Sequence, residues 1–434
     1  MTPTLDLTTR LLLGLALILG LSRGAGRIAV RLGQPPVLAE VATGIALGPT
    51  LFGRLLPDWH HRLFGPDALT VFNGLAQLGV AVYAFEIGAT LARPHRDGPQ
   101  APPTRSPLPL ATVSLLVPAA AGLLLTPWLH GTGANGSPAA FAVFVACAFG
   151  VTAVPVLARI LQDRGLDATP VGRLSLTAAS IGDGACWCLL ALALWLSGRI
   201  ELGNLLLGLL AVGGAAFAAR HRAARDRTVR DRTVREPRRS RVAREWGVVP
   251  LLGAICLAAA VSSALGLHAL FGGLVLGLLL PAADPGADRP GAPGGAAGLG
   301  VVAAALLPCF FLGTGQQVDL GTSVTAPGFV GRLLVVLLVM TASKLLVCAL
   351  AGRWYGFGRR DALRLGVLMN TKGLTEIVVL AAGHQAGIIG RELFECLLLA
   401  ALLTTLAAGP ALALLDRAER SGRRGRRPER AAVR

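Results

Sequence analysis

The sequence predicts an all-α polytopic membrane protein. Of its 434 residues, 53% are hydrophobic and only 15% are charged, and the mean hydropathy is +0.62. A soluble domain carries charge on about a quarter of its residues, whereas each helical crossing of a bilayer needs about 20 mostly apolar residues. Thirteen such stretches are predicted, at approximately 8–30, 36–53, 71–92, 108–129, 139–161, 173–197, 202–220, 247–265, 267–281, 297–317, 329–352, 361–384 and 390–415.

The net charge of +17 is concentrated in two short segments. Residues 220–245 hold eleven arginines and four acids, and residues 416–434 hold eight arginines and three acids. Basic segments beside apolar helices are typical of cytoplasmic loops, and the first segment has no aromatic residue that could stack on a nucleic-acid base. With thirteen crossings the more basic loops share one side, which predicts an outside N-terminus and a cytoplasmic C-terminus in the cell membrane.

These features divide the chain into four predicted regions. They are an N-terminal membrane half with helices 1–7 (1–219), a basic cytoplasmic linker (220–246), a C-terminal membrane half with helices 8–13 (247–415) and a basic cytoplasmic tail (416–434). Residues 226–235 of the linker contain the repeat DRTVR twice and lack apolar periodicity, so we expect this run to be disordered. The first apolar stretch lacks a typical cleavage site, so we interpret it as a retained helix.

The helix order predicts two inverted six-helix repeats around the seventh helix, a known plan of secondary transporters. In that plan the fifth and twelfth helices are equivalent and are expected to be interrupted. The fifth contains Pro155, and the twelfth contains Asn370 and Gly373; these residues disfavour a continuous helix. Matching interruptions predict a binding site near the membrane midplane.

Two charged residues in the apolar stretches are the strongest candidates for function, because charge is costly inside a bilayer. Asp183 lies at the centre of the sixth stretch, where a carboxylate can bind either a proton or a cation. Lys344 lies in the middle of the eleventh, where an ammonium group should lose its proton or find a carboxylate. Asp183 is the natural partner if the two halves pack around a pseudo-twofold axis. Lysine can release its proton and arginine cannot, and 344 and 372 are the only lysines of the sequence.

Other candidates lie around the two interruptions. Backbone carbonyls and hydroxyls would become available near the breaks, from Thr152 and Pro155 in the fifth stretch and from Asn370, Thr371 and Gly373 in the twelfth, and Thr152 is a candidate ion-binding residue. Lys372 and Glu376 would neutralise the partial charges of the half-helix ends as supporting charges. Glu86 in the third stretch is a weaker candidate of the same kind. The cysteines show no metal or redox spacing, so neither a metal site nor a cofactor is expected.

Several segments together resemble the cation:proton antiporter-2 family, especially plant cation/proton exchangers and the membrane half of Kef-type potassium systems. They are QPPVLAEVATGIALGPTLFG (34–53), GVTAVPVLARIL (150–161), AASIGDGACW (178–187), FGGLVLGLLLP (271–281), LPCFFLGTG (307–315) and LMNTKGLTE (368–376). The resemblance implies the thirteen-helix inverted-repeat fold, a homodimer, and exchange of Na+ or K+ for H+ by an elevator-like motion. It also implies that Asp183 is the ion and proton carboxylate, that Lys344 is its charged partner, and that Thr152, Pro155 and Asn370 mark the crossing.

The sequence departs from that family in three respects. Similar proteins usually carry Asn, Asp or Gln just before the essential Asp, where this chain has Gly182. The third helix reads FEIGATL, with Thr90 at the usual acid position and Glu86 displaced. Only nineteen residues follow Leu415, so gating by a fused nucleotide-binding domain is not expected.

The sequence therefore predicts a secondary antiporter that exchanges K+ or Na+ for protons, and not an enzyme. One cation exchanged for one proton at Asp183 would be electroneutral, whereas proton release from Lys344 would make transport electrogenic. Two alternatives stay open: proton-coupled transport of an organic substrate, for which Gly182 would enlarge the site, and a non-transporting or enzymatic derivative of the same scaffold.

Overall fold

The computed structural model describes residues 6–91, 106–130, 137–167, 169–230, 247–265, 268–280 and 295–424, and all regular structure in these ranges is α-helical. The helices are α1 (Leu7–Arg31), α2 (Pro36–Leu47), α3 (Phe52–Leu55), α4 (Pro57–Leu63), α5 (Pro66–Leu91), α6 (Leu108–His130), α7 (Pro138–Gly150), α8 (Val154–Asp163), α9 (Pro170–Leu196), α10 (Leu202–Arg230), α11 (Val248–Ala264), α12 (Ala269–Leu279), α13 (Gly295–Gln316), α14 (Leu320–Ser323), α15 (Phe329–Trp354), α16 (Arg359–Met369), α17 (Leu374–Gln385) and α18 (Arg391–Arg424).

The described residues form a multi-pass membrane fold. Ten helical spans are long and apolar enough to cross a bilayer, counting α7 with α8 and α16 with α17 as single interrupted spans. Three further apolar helices are shorter, namely residues 202–215 of α10, α11 and α12. The predicted count of thirteen crossings therefore stays a prediction.

Helix packing divides the described residues into two bundles. The first bundle contains α1, α2, α5, α11, α12 and α13, and the second contains α6 to α9 and α15 to α18. Helix α10 packs against α9 of the second bundle and α12 of the first. Each bundle thus combines helices from both halves of the chain, and both interrupted spans belong to the second bundle.

Glycines allow very close packing inside the first bundle. A Cβ atom added at Gly44 of α2 would lie 2.2 Å from the Phe311 carbonyl oxygen of α13, and one added at Gly315 would lie 2.0 Å from the Gly44 carbonyl oxygen. Only glycine permits such backbone approach. The glycine-rich segment after Glu40 is therefore a packing surface, and Glu40 interacts electrostatically with Arg23 of α1.

A polar cluster joins the two bundles at one end of the molecule. The buried Glu395 carboxylate of α18 accepts a hydrogen bond from the Asp319 backbone N–H at 2.7 Å, another from the Ser323 hydroxyl, and one from Arg391 at 3.0 Å. Asp319 follows α13, and its carboxylate also pairs with Arg54 at 3.0 Å. The cluster links the two bundles in the conformation of this structure.

The predicted linker and tail are partly helical. Helix α10 continues to Arg230, so the first DRTVR repeat is helical and the expectation of disorder is wrong for it; alanine and arginine, frequent in this stretch, are strong helix formers. Residues 231–246 lie outside the described residues. Helix α18 likewise continues into the tail as far as Arg424, and residues 425–434 lie outside the described residues.

Candidate ion-binding site

The fifth predicted stretch is interrupted just before Pro155. Helix α7 ends at Gly150 and α8 begins at Val154, with extended backbone between them. Pro155 occupies the first turn of α8, where backbone N–H groups have no partner within the helix, so the missing N–H of proline costs nothing there. The proline therefore starts the second half-helix and does not kink a continuous one.

The twelfth predicted stretch is interrupted over residues 370–373. Helix α16 ends at Met369 and α17 begins at Leu374, so Asn370, Thr371 and Gly373 all lie in the connection. Gly373 has extended backbone, and its role is close approach: a Cβ atom there would lie 2.4 Å from Cγ2 of Val156.

The two interruptions cross and bond to each other. The Ala153 N–H donates to the Thr371 carbonyl oxygen at 3.0 Å, and the Thr152 hydroxyl donates to the Met369 carbonyl oxygen at 2.8 Å. Thr405 of α18 supports the second interruption, because its hydroxyl accepts from the Lys372 N–H at 2.8 Å and donates to the Lys372 carbonyl oxygen at 2.7 Å. Backbone groups freed by the breaks are thereby paired.

Both lysines contact the C-terminal end of α7. The Lys344 ammonium donates to the carbonyl oxygens of Gly150 and Val151, the latter at 2.7 Å. The Lys372 ammonium donates to the Ala148 carbonyl oxygen at 2.7 Å and to Glu376 Oε1 at 3.2 Å. These three charged side chains are fully buried. The carbonyl groups at a helix C-terminus lack helical partners and carry partial negative charge, so they take the role expected of a carboxylate.

The expected direct pair between Lys344 and Asp183 is therefore not formed. Among the described residues, the Lys344 ammonium makes no ion pair with a carboxylate within 4.0 Å. It acts on Asp183 only through the electrostatic field, as the largest charged contribution at that carboxylate. Two backbone carbonyls at short range compete successfully for the ammonium group.

Asp183 is fully buried in α9 and faces the N-terminal end of α8. The backbone N–H of Val154, the first residue of α8, acts on the carboxylate, and a helix N-terminus favours negative charge. Neither carboxylate oxygen has a hydrogen bond of normal geometry to any described residue. Glu376 occupies the corresponding place in the first turn of α17. Each N-terminal half-helix end at the crossing thus has one buried carboxylate.

Buried polar atoms without hydrogen bonds collect around this crossing. Six of those found in the described residues are both oxygens of Asp183, Asn370 Oδ1, Glu376 Oε2, the Thr375 hydroxyl and the Tyr83 hydroxyl. Buried polar groups are normally paired, and such exceptions mark places for an ion or ordered water. The arrangement is suited to holding a small cation among oxygen atoms.

Sequence reasoning missed Tyr83 and Thr375. Tyr83 lies on α5, and its hydroxyl interacts with the Thr375 hydroxyl and, electrostatically, with Asp183. A tyrosine in an apolar helix is ordinary, and the one available signal was that the sequence contains just two. Glu86 lies one turn later on the same helix: its Oε1 would be 3.5 Å from a Cβ atom at Gly300 of α13, and its charge also acts on the Tyr83 hydroxyl.

The helix that carries Asp183 has free space beside Gly182. A Cβ atom added at Gly182 would meet nothing within 4 Å, although the residue is buried. Cys186, one turn after Asp183, packs with its sulfur 3.1 Å from that of Cys147 on α7, whereas Cys188 is exposed. In the described part of the chain, no three His, Cys, Asp or Glu residues could together hold a metal ion.

Comparison with known proteins identifies related chains over nearly the full length. A family model described as sodium/hydrogen exchanger, transmembrane, matches residues 14–415. The Na(+)/H(+) antiporter NhaS4 of Synechocystis is 30% identical over 94% of this chain and 97% of its own length. The K(+)/H(+) antiporter 1 of Saccharomyces cerevisiae is 29% identical over 87% of this chain and 42% of its own length.

Cation/H(+) antiporter 17 of Arabidopsis thaliana is 31% identical over 92% of this chain and 47% of its own length. This chain therefore spans about half the length of the plant and yeast relatives. Among solved structures, the sodium proton antiporter MjNhaP1 of Methanocaldococcus jannaschii superposes with a TM-score of 0.63, covering 94% of this chain and 100% of that one at 16% identity. That likeness shows a shared fold.

Proposed function

This chain belongs to the sodium/hydrogen exchanger family, as the resemblance of its segments predicted, and we propose that it exchanges Na+ or K+ for protons across a cell membrane. Its relatives carry the names of Na+/H+, K+/H+ and cation/H+ antiporters. They are transporters and not enzymes. The exchange would take place at the crossing of the two interrupted spans.

Asp183 is the residue that binds cation and proton alternately in this proposal. The observation that carries it is a fully buried carboxylate at the N-terminal end of α8, neither oxygen of which has a hydrogen bond of normal geometry among the described residues. A cation held there would also meet oxygen atoms of Asn370 and Thr375, and hard cations prefer oxygen ligands. A proton on Asp183 would remove the charge that holds the cation, so the two ions exclude each other.

Thr152 and Thr371 take structural roles at the crossing, since both hydroxyls donate to carbonyl oxygens of α16. Lys344 and Lys372 neutralise the end of α7, and Glu376 compensates Lys372. Because the Lys344 ammonium does not bond to Asp183, a cation can reach the carboxylate without displacing it. This separation supports exchange of one cation for one proton.

Alternating access would occur by an elevator-type movement of the second bundle against the first. The second bundle carries both interruptions, Asp183 and Lys344, and the strongest helix contacts lie within each bundle or on α10. The same proposal includes two inverted repeats, thirteen crossings, an outside N-terminus and a homodimer. The placement of interrupted spans at matching positions of the two halves supports the repeats.

The experiment is cation-induced proton movement in liposomes that contain the purified protein and a pH-sensitive dye. External Na+, K+, Li+ or Rb+ is expected to enter in exchange for luminal protons, and so to alkalinise the lumen, with wild type and to have no effect with Asp183→Asn. Asp163→Asn is the matched control, because Asp163 lies half-exposed at the end of α8 and pairs with Arg159. Unchanged exchange by Asp183→Asn would overturn the site assignment. Responses to organic solutes alone would favour the organic-substrate alternative.

A further inference from the structure

Tyr83 is a polar side chain that the first bundle supplies to the site through α5. Its side chain is 9% exposed, and its hydroxyl oxygen is buried without a hydrogen bond of normal geometry among the described residues. The hydroxyl faces the Thr375 hydroxyl at the start of α17, and the Asp183 and Glu86 carboxylates act on it electrostatically. Buried oxygen atoms of Tyr83, Thr375 and Asp183 that lack a normal hydrogen bond point to a group that bonds to them.

The position of Tyr83 is set by tight packing of α5 inside the first bundle. A Cβ atom at Gly79 would lie 2.8 Å from Cβ of Leu306 on α13, and one at Gly88 would lie 2.3 Å from the Leu274 carbonyl oxygen on α12. These contacts lie about one turn before and after Tyr83. Since α5 cannot slide or rotate against its neighbours without clashes, the phenol is held at a fixed place relative to the first bundle.

We propose that Tyr83 is a specificity-determining ligand, whose phenolic oxygen completes the coordination of the cation bound at Asp183. A phenol oxygen is an acceptor with lone pairs, and selectivity between small cations depends on the number and placement of oxygen ligands. The inference rests on the proposed function, because it names a further ligand of the same site. Thr375, whose hydroxyl faces the phenol, would be the neighbouring ligand.

The proposed ligands of the cation come from both bundles. Asp183 and Thr375 lie on the second bundle, whereas Tyr83 lies on the first. The full set of oxygen ligands then exists only in the relative position of the bundles seen in this structure. Cation affinity would fall when the bundles separate, and that fall would assist release.

The test is the Tyr83→Phe variant, which removes one oxygen atom and keeps the ring. Tyr355→Phe is the matched control: it alters the other tyrosine of the chain, whose hydroxyl donates to the Ser106 carbonyl oxygen at 2.6 Å, away from the site. Initial rates of proton movement are measured over a range of Na+ and K+ concentrations. We expect Tyr83→Phe to raise KM for the preferred cation about 10-fold with kcat changed less than about 2-fold, and to reduce discrimination between Na+ and K+.

Thr375→Val is the second variant, and it should raise KM in the same direction. Wild-type KM and selectivity in Tyr83→Phe would overturn the inference, and so would a fall in kcat at unchanged KM, which indicates a merely structural role. A silent wild-type protein would overturn the proposed function together with this inference. An active wild type, an inactive Asp183→Asn and an unaltered Tyr83→Phe would overturn this inference alone.

Discussion

Removing the buried lysine of the second interruption should destabilise the protein far more than removing an exposed basic residue. The Lys372 ammonium lies 3.2 Å from Glu376 Oε1 and 2.7 Å from the Ala148 carbonyl oxygen, with both charged side chains fully buried. Lys372→Met would leave Glu376 charged and unpaired in the bilayer interior. Breaking a buried pair in this way costs about 3–5 kcal/mol of unfolding free energy.

The chain contains a matched pair for comparison. Arg159 and Asp163 have the same i,i+4 spacing at 3.0 Å, but both side chains are 51% exposed. Arg159→Ala should therefore cost only about 0.3–0.5 kcal/mol, as helix-surface pairs do. The double variant Lys372→Met with Glu376→Gln should recover most of the loss, because no buried charge then lacks its partner.

The assay is unfolding of purified protein in mixed micelles of mild detergent and increasing SDS, followed by tryptophan fluorescence. Single and double variants give the coupling energy between Lys372 and Glu376. A Lys372→Met variant as stable as Arg159→Ala would refute the buried pair. Equal instability of the single and double variants would instead show that the contact with the α7 carbonyls carries the whole effect.

Two glycine substitutions test the space around the site. Gly373→Ala places a methyl group 2.4 Å from Cγ2 of Val156, so we expect the free energy of unfolding to fall by about 1–3 kcal/mol and transport to be lost. The control is Gly253→Ala on α11, whose methyl group meets nothing within 4 Å and should be neutral or stabilising. Equal melting temperatures of the two variants would contradict the close crossing. Gly182→Asn also meets no atom at Cβ, so it should fold and lower the cation KM by adding an amide oxygen beside Asp183; an unchanged KM would contradict this.

The membrane class and the positions of both interruptions could be predicted from the sequence, because their signals are local. Apolar stretches reveal crossings, and Pro155 together with Asn370 and Gly373 marks where a helix stops. Asp183 stood out because one carboxylate lay at the centre of an apolar helix.

The partner of Lys344 could not be predicted in the same way. Its acceptors are backbone carbonyls of Gly150 and Val151, and these become available only because α7 ends there. Every residue has a carbonyl, so residue type contains no signal. Tyr83 was missed for a related reason: its relation to Asp183 depends on how two bundles meet, which helix order alone does not determine.

The arrangement of buried charges leads to a prediction about electrogenicity. Asp183 and Glu376 supply two negative charges, and Lys344 and Lys372 supply two positive ones, so the unloaded site is neutral when all four are ionised. Either a cation or a proton on Asp183 raises the net charge by one. Provided that Lys344 stays protonated on the α7 carbonyls, the loaded site has equal charge with either ion.

Equal charge in the two loaded states means that one cycle moves no net charge, so an imposed membrane potential should leave the exchange rate unchanged. Moving one elementary charge across 100 mV is worth about 2.3 kcal/mol, enough to change a rate severalfold. Liposomes with a potential set in either direction would detect that change. A rate that follows the potential would show that Lys344 loses its proton when the cation binds, since its ammonium group contacts no carboxylate. Lys344→Arg should then abolish the dependence of the rate on the potential, because arginine stays charged.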